Sequence, residues 1–317
     1  MAIDSSVQRL LDELPSAGGK TAVVTGGNAG LGRETVRFLA VRGAEVVLAS
    51  RDRGRGENAR QDVLRDAPEA TVRVEELDLA SLASVRAFAE RIVADGGVDV
   101  VVANAGVMAL PRRLTEDGFE MQFGVNHLGH FALVGLLLPA LLRRPEARVV
   151  AVSSGAAFRA SIDFDDPMGE RRYDRWRAYG QSKLANLAFA LGLARRMAAT
   201  GVDATAHAAH PGLVFTDLQR NVVRDPETQP SWPERFFLER ITPALGQSAA
   251  MGALPLVYAA LSPLARSGDL WGPRWIARGA PVQARVPAHA QSAALQDRLW
   301  EWSEARTGVR YALPTSS

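Results

Sequence analysis

Short runs of β-branched and other apolar residues alternate along the chain with longer segments of helical periodicity, the pattern that a parallel sheet with crossover helices produces. Strands are expected at residues 21–25, 45–50, 71–77 and 98–103, and again at 148–153 and 202–209. Helices are expected near 30–42, 55–66 and 81–95, then at 126–142, 178–199 and 247–261. From 215 to 245 the pattern dissolves into Pro, Trp, Arg and paired Phe residues, which predicts a mobile covering segment and not a sheet element. The tail after Ser262 is rich in Gly and Pro and shows little regular pattern. No break in composition and no internal repeat divides the chain. The expected fold is therefore α/β: a Rossmann-type, doubly wound parallel sheet flanked by helices, in a single domain at 20–317 after an N-terminal extension at 1–19.

Composition narrows the classes. Of 317 residues, 47% are hydrophobic and 23% charged, the balance of a soluble globular chain. The net charge of +2 and the lack of a basic tract give no footprint for nucleic acid. The absence of cysteine removes disulfides, thiolate catalysis and cysteine-based metal sites. None of the five histidines has metal-site spacing. His127 and His130 read as helix or interface positions and His210 as a turn residue, so no metal is expected. The first twenty residues carry acids and no apolar core, so a signal peptide is not expected and a cytoplasmic location is. The most apolar stretch, 128–142, is shorter than the ~20 residues that span a bilayer. It contains His130 and Pro139 and reads as a buried helix.

Candidate chemistry begins after the first strand, where Thr25 and Gly26 lead through Asn28 to Gly30, Leu31 and Gly32 and into an amphipathic helix. Glycines at such a turn let the backbone approach a pyrophosphate set against the positive end of the helix dipole. The spacing differs from G-x-G-x-x-G, so the dinucleotide reading rests on context as well as pattern. At the end of the second strand, where a carboxylate would accept the adenosine ribose hydroxyls, stand Ser50 and Arg51. A neutral residue removes repulsion toward a 2′-phosphate and arginine offers it charge-assisted bonds, which favours NADP(H) over NAD. Arg33 either adds to that site or is solvated.

Tyr179 and Lys183 lie four residues apart at the start of an expected helix and should share a face. A tyrosine hydroxyl, with a pKa of about 10, needs a nearby ammonium to work as an acid and base near neutrality. The chain has only two lysines, Lys20 and Lys183, and uses arginine elsewhere, so the ammonium beside Tyr179 is conspicuous. Ser153 and Ser154 end a strand at the carboxyl edge of the sheet, where a hydroxyl can hydrogen-bond a substrate oxygen. Spacing alone does not choose between them.

With these pieces in order, the chain resembles the short-chain dehydrogenase/reductase family, and within it the retinol-dehydrogenase-like branch. The matching residues are Thr25-Gly26 with Gly30 and Gly32, Asp78-Leu79, Asn104-Ala105-Gly106, Asn126 within VNHLGHF, Ser153-Ser154, Tyr179 with Lys183, and His210-Pro211-Gly212 followed by Thr216, covering roughly residues 20–217. The resemblance implies that Asp78 and Leu79 meet the adenine and that Asn104, Ala105 and Gly106 hold the cofactor and brace the sheet. It implies that Asn126 positions a proton-relaying water and that Ser154 is the catalytic serine. Pro211, Gly212 and Thr216 would meet the nicotinamide, and Lys183 also its ribose. The family often has Asn where this chain has Ala103.

The expectation is an oxidoreductase that interconverts a carbonyl and an alcohol, with Tyr179 as general acid and base supported by Ser154, Lys183 and Asn126. The alternatives are a non-catalytic NADP(H)-binding sensor of the same fold and an epimerase or dehydratase that retains its cofactor. The segment between Ser154 and Tyr179 is about a dozen residues longer than in short family members and holds Phe164, Tyr173 and Trp176. Trp176, with Trp232, Phe236, Phe237 and Leu238 of the covering segment, either lines a pocket for a lipophilic ketone, aldehyde or alcohol or packs the cover to the body. Helices near 128–142 and 185–197 correspond to the usual oligomer surface of the family.

Overall fold

Apolar residues on both faces of nearly every strand build one sheet. Among the residues that the computed structural model describes, 3–224, 227–228 and 230–314, eight strands follow the order β3-β2-β1-β4-β5-β6-β7-β8. They are β1 (Thr21–Thr25), β2 (Glu45–Ser50), β3 (Val72–Glu76), β4 (Val100–Ala103), β5 (Ala147–Val152), β6 (Ala204–Ala209), β7 (Leu270–Pro273) and β8 (Pro281–Ala284). Every neighbouring pair is parallel except β7 with β8. Val23, Val47 and Val101 face one core, with residues of the helices Leu82–Ala94, Gly129–Leu141 and Arg175–Thr200. Val24, Leu48 and Val102 face the other, with the helices Gly30–Val41, Arg53–Asp66 and Ala249–Leu261. Burial on both faces is why these strands read as continuous apolar runs.

The six strands expected from the sequence occur, with ends shifted by one or two residues. Two helices start earlier than expected because an aspartate caps each of them. Asp52 accepts from Arg55 N at 2.9 Å and Asp174 from Arg177 N at 2.7 Å, which places helix starts at Arg53 and Arg175. The apolar helix Gly129–Leu141 is entered through Met121–Phe123 and a π turn, Gly124–Leu128. By length and composition the run Met121–Leu141 would suffice to cross a membrane, and most of it is buried inside the fold.

Three regions differ from the sequence expectation. The tail is regular: β7 extends the parallel sheet, β8 closes it as an antiparallel edge opened by Pro281, and Ala293–Thr307 is a helix capped by Ser292 and ended by the left-handed Gly308. A four-residue strand holding Gly272 and Pro273 shows no alternation to detect, and Pro281 opens β8 at the sheet edge, where proline is tolerated. At the other end, residues Ser5–Asp12 form a helix whose Val7 and Leu11 are buried in the core that Val24, Leu48 and Val102 face. The covering segment is helical, at Asp217–Arg224, Trp232–Phe236 and Thr242–Leu245, with a π turn at Phe237–Ile241.

In the order 3-2-1-4 the chain reverses direction of growth between β1 and β4. A crevice at such a switch point, outside the carboxyl ends of the strands, is where open α/β sheets take their ligands.

Candidate active site

A cleft of about 750 Å³ opens at this switch point. Its first wall is the turn after β1. Gly26 and Gly30 adopt left-handed φ of 65° and 51°, a region that side chains rarely enter. A Cβ on Gly32 would stand 2.1 Å from the Gly26 carbonyl oxygen. The backbone therefore folds against itself and exposes the start of the Gly30–Val41 helix, a cradle for the pyrophosphate of a dinucleotide. Asn28, Leu31 and Ala29 complete this wall.

The second wall is the end of β2 and β3, with Ser50, Arg51, Asp52, Arg55, Asp78 and Leu79. Ser50 donates to the Asp52 carbonyl at 2.8 Å, and the Asp52 carboxylate is turned to its own helix start. Arg51 and Arg55 are exposed at this end of the cleft. Arg55 was not anticipated, although a second arginine four residues beyond Arg51 was a readable signal. Arg33 instead pairs with Asp62 at 3.3 Å and Glu34 at 3.6 Å. Asp78 accepts from Ala80 N at 2.9 Å, which fixes the turn after β3.

Between the walls, Asn104 N and Ala105 N both donate to Thr25 Oγ1 at 2.9 Å, and Asn104 Nδ2 donates to the Thr25 carbonyl at 2.8 Å. These bonds lock β1 to the turn after β4. Gly106 follows, so tightly seated that a Cβ there would lie 3.0 Å from Asn126 Oδ1 and 3.3 Å from Lys183 Nζ. At the far end, Pro211, Gly212 and Thr216 line the cleft, and a Cβ on Gly30 would come 3.3 Å from Thr216 Cβ, so the two ends of the groove face each other. Thr216 Oγ1 donates to Gln219 Oε1 at 2.8 Å.

The Arg175–Thr200 helix brings Tyr179 and Lys183 to the floor, both nearly buried. Ser153 and Ser154 divide their work. Both line the cleft, but the buried Ser153 donates to the Lys183 carbonyl at 2.8 Å, whereas the Ser154 hydroxyl, which accepts from Ala156 N at 3.3 Å, stays on the Tyr179 side. Burial raises the Tyr179 pKa, and the Ser154 side chain opposes the rise. Burial also lowers Lys183 to about 8. The expected depression of the Tyr179 pKa by Lys183 is absent in the chain by itself. The Lys183 ammonium donates to the Val152 carbonyl at 3.2 Å and stands 5.9 Å from the tyrosine ring centroid, so desolvation prevails.

Asn126 is fully buried and does not reach the cleft wall. From the π turn its side-chain Nδ2 donates to Val107 O and Ser182 Oγ, each at 2.9 Å, and its Oδ1 accepts from Val107 N at 2.8 Å. It therefore shapes the cleft from one layer behind.

Much of the remaining lining is apolar, with Met108, Met121, Val125, Trp176, Leu218 and Leu238, and Ile276 from the tail hairpin, while His210, Gln219 and Thr242 add polar groups. The tail and the two methionines escaped the sequence reading because nothing local marks them. Of the aromatic candidates, Trp176 lines the cleft and meets the Tyr179 ring edge-on at 6.4 Å. Trp232 and Phe236 point outward and stack on each other at 5.7 Å. The Phe237 side chain lies outside the described residues. Tyr173 Oη is bonded to Leu110 O at 2.9 Å, and Phe164 lies under Arg298, so neither reaches the cleft. Among the described residues no group of three or more His, Asp or Glu is placed to hold a metal.

Residues 20–227 match the family described as short chain dehydrogenase. Retinol dehydrogenase 12 of Mus musculus is 49% identical over 204 residues, 64% of this chain and 64% of that protein, so the match spans less than two thirds of that relative. A Streptomyces lividans protein described as a probable oxidoreductase is 43% identical over 293 residues, 90% of this chain and 96% of its own length. The crystal structure of an uncharacterized protein from Mycobacterium paratuberculosis superimposes with a TM-score of 0.78 at 39% identity, covering 96% of this chain and 98% of that one. A Beutenbergia cavernae structure described as an NAD(P)-dependent gluconate 5-dehydrogenase, with NADP bound at low occupancy, shares the fold, with a TM-score of 0.63 at 23% identity over 81% of this chain and 96% of that one.

The cradle generates one prediction. Gly32→Ala should weaken NADPH and NADH binding alike, by roughly tenfold or more, because the methyl group forces the turn off the Gly26 carbonyl. Fluorescence titration checks it, with circular dichroism to verify the fold. Unchanged affinity in a folded variant would contradict the cradle.

Proposed function

The chain belongs to the short chain dehydrogenase family, in its retinol-dehydrogenase-like branch, and from that premise we propose that it interconverts a carbonyl and an alcohol on a lipophilic small molecule with NADP(H). The observation that carries this reading is the meeting of Ser154, Tyr179 and Lys183 on the floor of a cleft whose other end is a dinucleotide cradle.

The family and the cradle make the cofactor a nicotinamide dinucleotide. NADP(H) in particular is supported by the neutral Ser50, the diverted carboxylate of Asp52, and the exposed Arg51 and Arg55. A 2′-phosphate at this end of the cleft would be held by the Arg51 and Arg55 guanidinium groups, with the Asp52 carboxylate turned away. The apolar walls from Met108 to Leu238 support a lipophilic substrate.

When bound, a reduced nicotinamide supplies the hydride that the carbonyl carbon takes up. Tyr179 gives its hydroxyl proton to the carbonyl oxygen, and Ser154 donates a hydrogen bond to the same oxygen as negative charge grows on it. Lys183, with a pKa near 8, keeps its proton in most of the population near neutrality and balances charge beside the phenolate. Its bond to the Val152 carbonyl holds the ammonium at the floor. Alcohol oxidation runs the same steps backwards.

Tyr179→Phe should lower turnover of any accepted ketone or aldehyde by roughly 10²-fold or more, the share of a general acid, and leave NADPH affinity nearly unchanged. Steady-state kinetics across a carbonyl panel checks it. Turnover near the parent rate would sink the assignment, and NADPH binding without turnover of any substrate by the parent would favour a non-catalytic NADP(H)-binding protein. Arg51→Ala should weaken NADPH by about tenfold, the scale of one charge-assisted bond, and spare NADH. Equal effects on the two cofactors, measured by titration, would contradict the 2′-phosphate contact.

A further inference from the structure

One buried polar group beside the site has no part in the chemistry above. His130 sits at the start of the Gly129–Leu141 helix, behind the cleft wall, and both of its ring nitrogens are engaged. Nδ1 lies 2.9 Å from the Asn126 carbonyl oxygen, and Nε2 lies 2.8 Å from Thr25 Oγ1.

The partners determine where the hydrogen is. A carbonyl oxygen only accepts, so Nδ1 must be the donor. Thr25 Oγ1 already accepts from Ala105 N and from Asn104 N, the latter shared with the Val102 carbonyl at 2.9 Å, so both of its lone pairs are engaged. Its single hydrogen is left for His130 Nε2 at 2.8 Å or the Val102 carbonyl at 3.4 Å, and the shorter contact takes it. The bonds then run in one direction, from Thr25 O–H to Nε2 and from Nδ1–H to the Asn126 carbonyl.

We propose that His130 is a positioning residue, held as its Nδ1–H tautomer, that ties the end of β1 beneath the nucleotide cradle to Asn126 and through it to the Lys183 side of the active site. The path has contacts at each step. Asn126 grips both backbone groups of Val107, and Gly106 is wedged between Asn126 Oδ1 and Lys183 Nζ. A π turn is wider than an ordinary helical turn, and the imidazole fastens one of its carbonyls to the sheet. Without that bond the turn holding Asn126 can shift, and Gly106, Val107 and Lys183 shift with it.

Protonating His130 would aim a third N–H at a Thr25 oxygen with no lone pair left. The titratable groups facing the ring are Lys183 and His127, and burial together with the Lys183 charge holds the His130 pKa down to about 4. His127 supplies a contrast. Its Nε2 lies 2.9 Å from Ser303 Oγ, whose own hydrogen goes to the Leu299 carbonyl at 2.7 Å, so His127 carries its hydrogen on Nε2. Two histidines three residues apart thus hold opposite tautomers.

The test uses the full chain labelled with ¹⁵N-histidine, in which only five residues report. Long-range ¹H–¹⁵N correlation, with His130→Asn identifying the signal, should show a pH-independent Nδ1–H pattern for His130 from about pH 5 to 8. His127 should show the Nε2–H pattern. An Nε2–H pattern at His130, or titration with a midpoint near the ordinary value of about 6.5, overturns the proposal. A kinetic arm rests on the carbonyl-reduction reading. His130→Leu should lose roughly tenfold in kcat at saturating NADPH with KM little changed, and His130→Asn, which keeps a donor in place of Nδ1, should recover most of it. Equal losses in both variants, or an unaltered kcat in His130→Leu, count against it. The tautomer arm needs no turnover, so it decides the matter even if the proposed activity fails.

Discussion

At the carboxyl ends of β1 and β4, four groups converge on the hydroxyl of Thr25: Asn104 N, Ala105 N, His130 Nε2 and, more distantly, the Val102 carbonyl. This small buried node fixes the separation of β1 and β4 at the place where the sheet changes its direction of growth. The glycine cradle springs from one side of it and the turn that seats Gly106 from the other. Nucleotide groove and reaction floor are consequently set against each other by backbone, without reliance on flexible side chains.

Desolvation then sets the chemistry. Tyr179 and Lys183 are both buried, and burial moves their pKa values apart, the tyrosine up and the lysine down to about 8. Both shifts favour the neutral forms. The floor is therefore costly to charge until something of complementary charge lies over it, which suits a site that works only when filled. The Ser154 side chain already opposes the rise at Tyr179.

Much of this was legible in the sequence because the parallel sheet writes its strands as apolar runs and its turns as glycines. The strands from 21–25 to 202–209, the cradle at Gly26–Gly32 and the placing of Tyr179 with Lys183 needed only local rules. What was hidden is non-local. The tail contributes Ile276 to the cleft and two strands to the sheet, yet its strands are four residues long and hold Gly and Pro. The helix at Ala293–Thr307 did carry its signals, Ser292 and Gly308, but the irregular stretch before it obscured them. The choice between Ser153 and Ser154 depended on which hydroxyl faces the helix backbone, and no spacing encodes that. Trp232 and Phe236 look like pocket residues in sequence and turn outward in space, since a short helix can present either face.

The central claim is that hydride moves between a nicotinamide and a carbonyl carbon above Tyr179. It is tested most directly with NADPH carrying deuterium at one or the other C4 position, supplied with a lipophilic ketone or aldehyde that the protein turns over. The account predicts deuterium on the carbinol carbon of the product from only one of the two labelled forms, with one NADP⁺ released per alcohol. Alcohol formed without label from either form, or label lost to solvent, would contradict it.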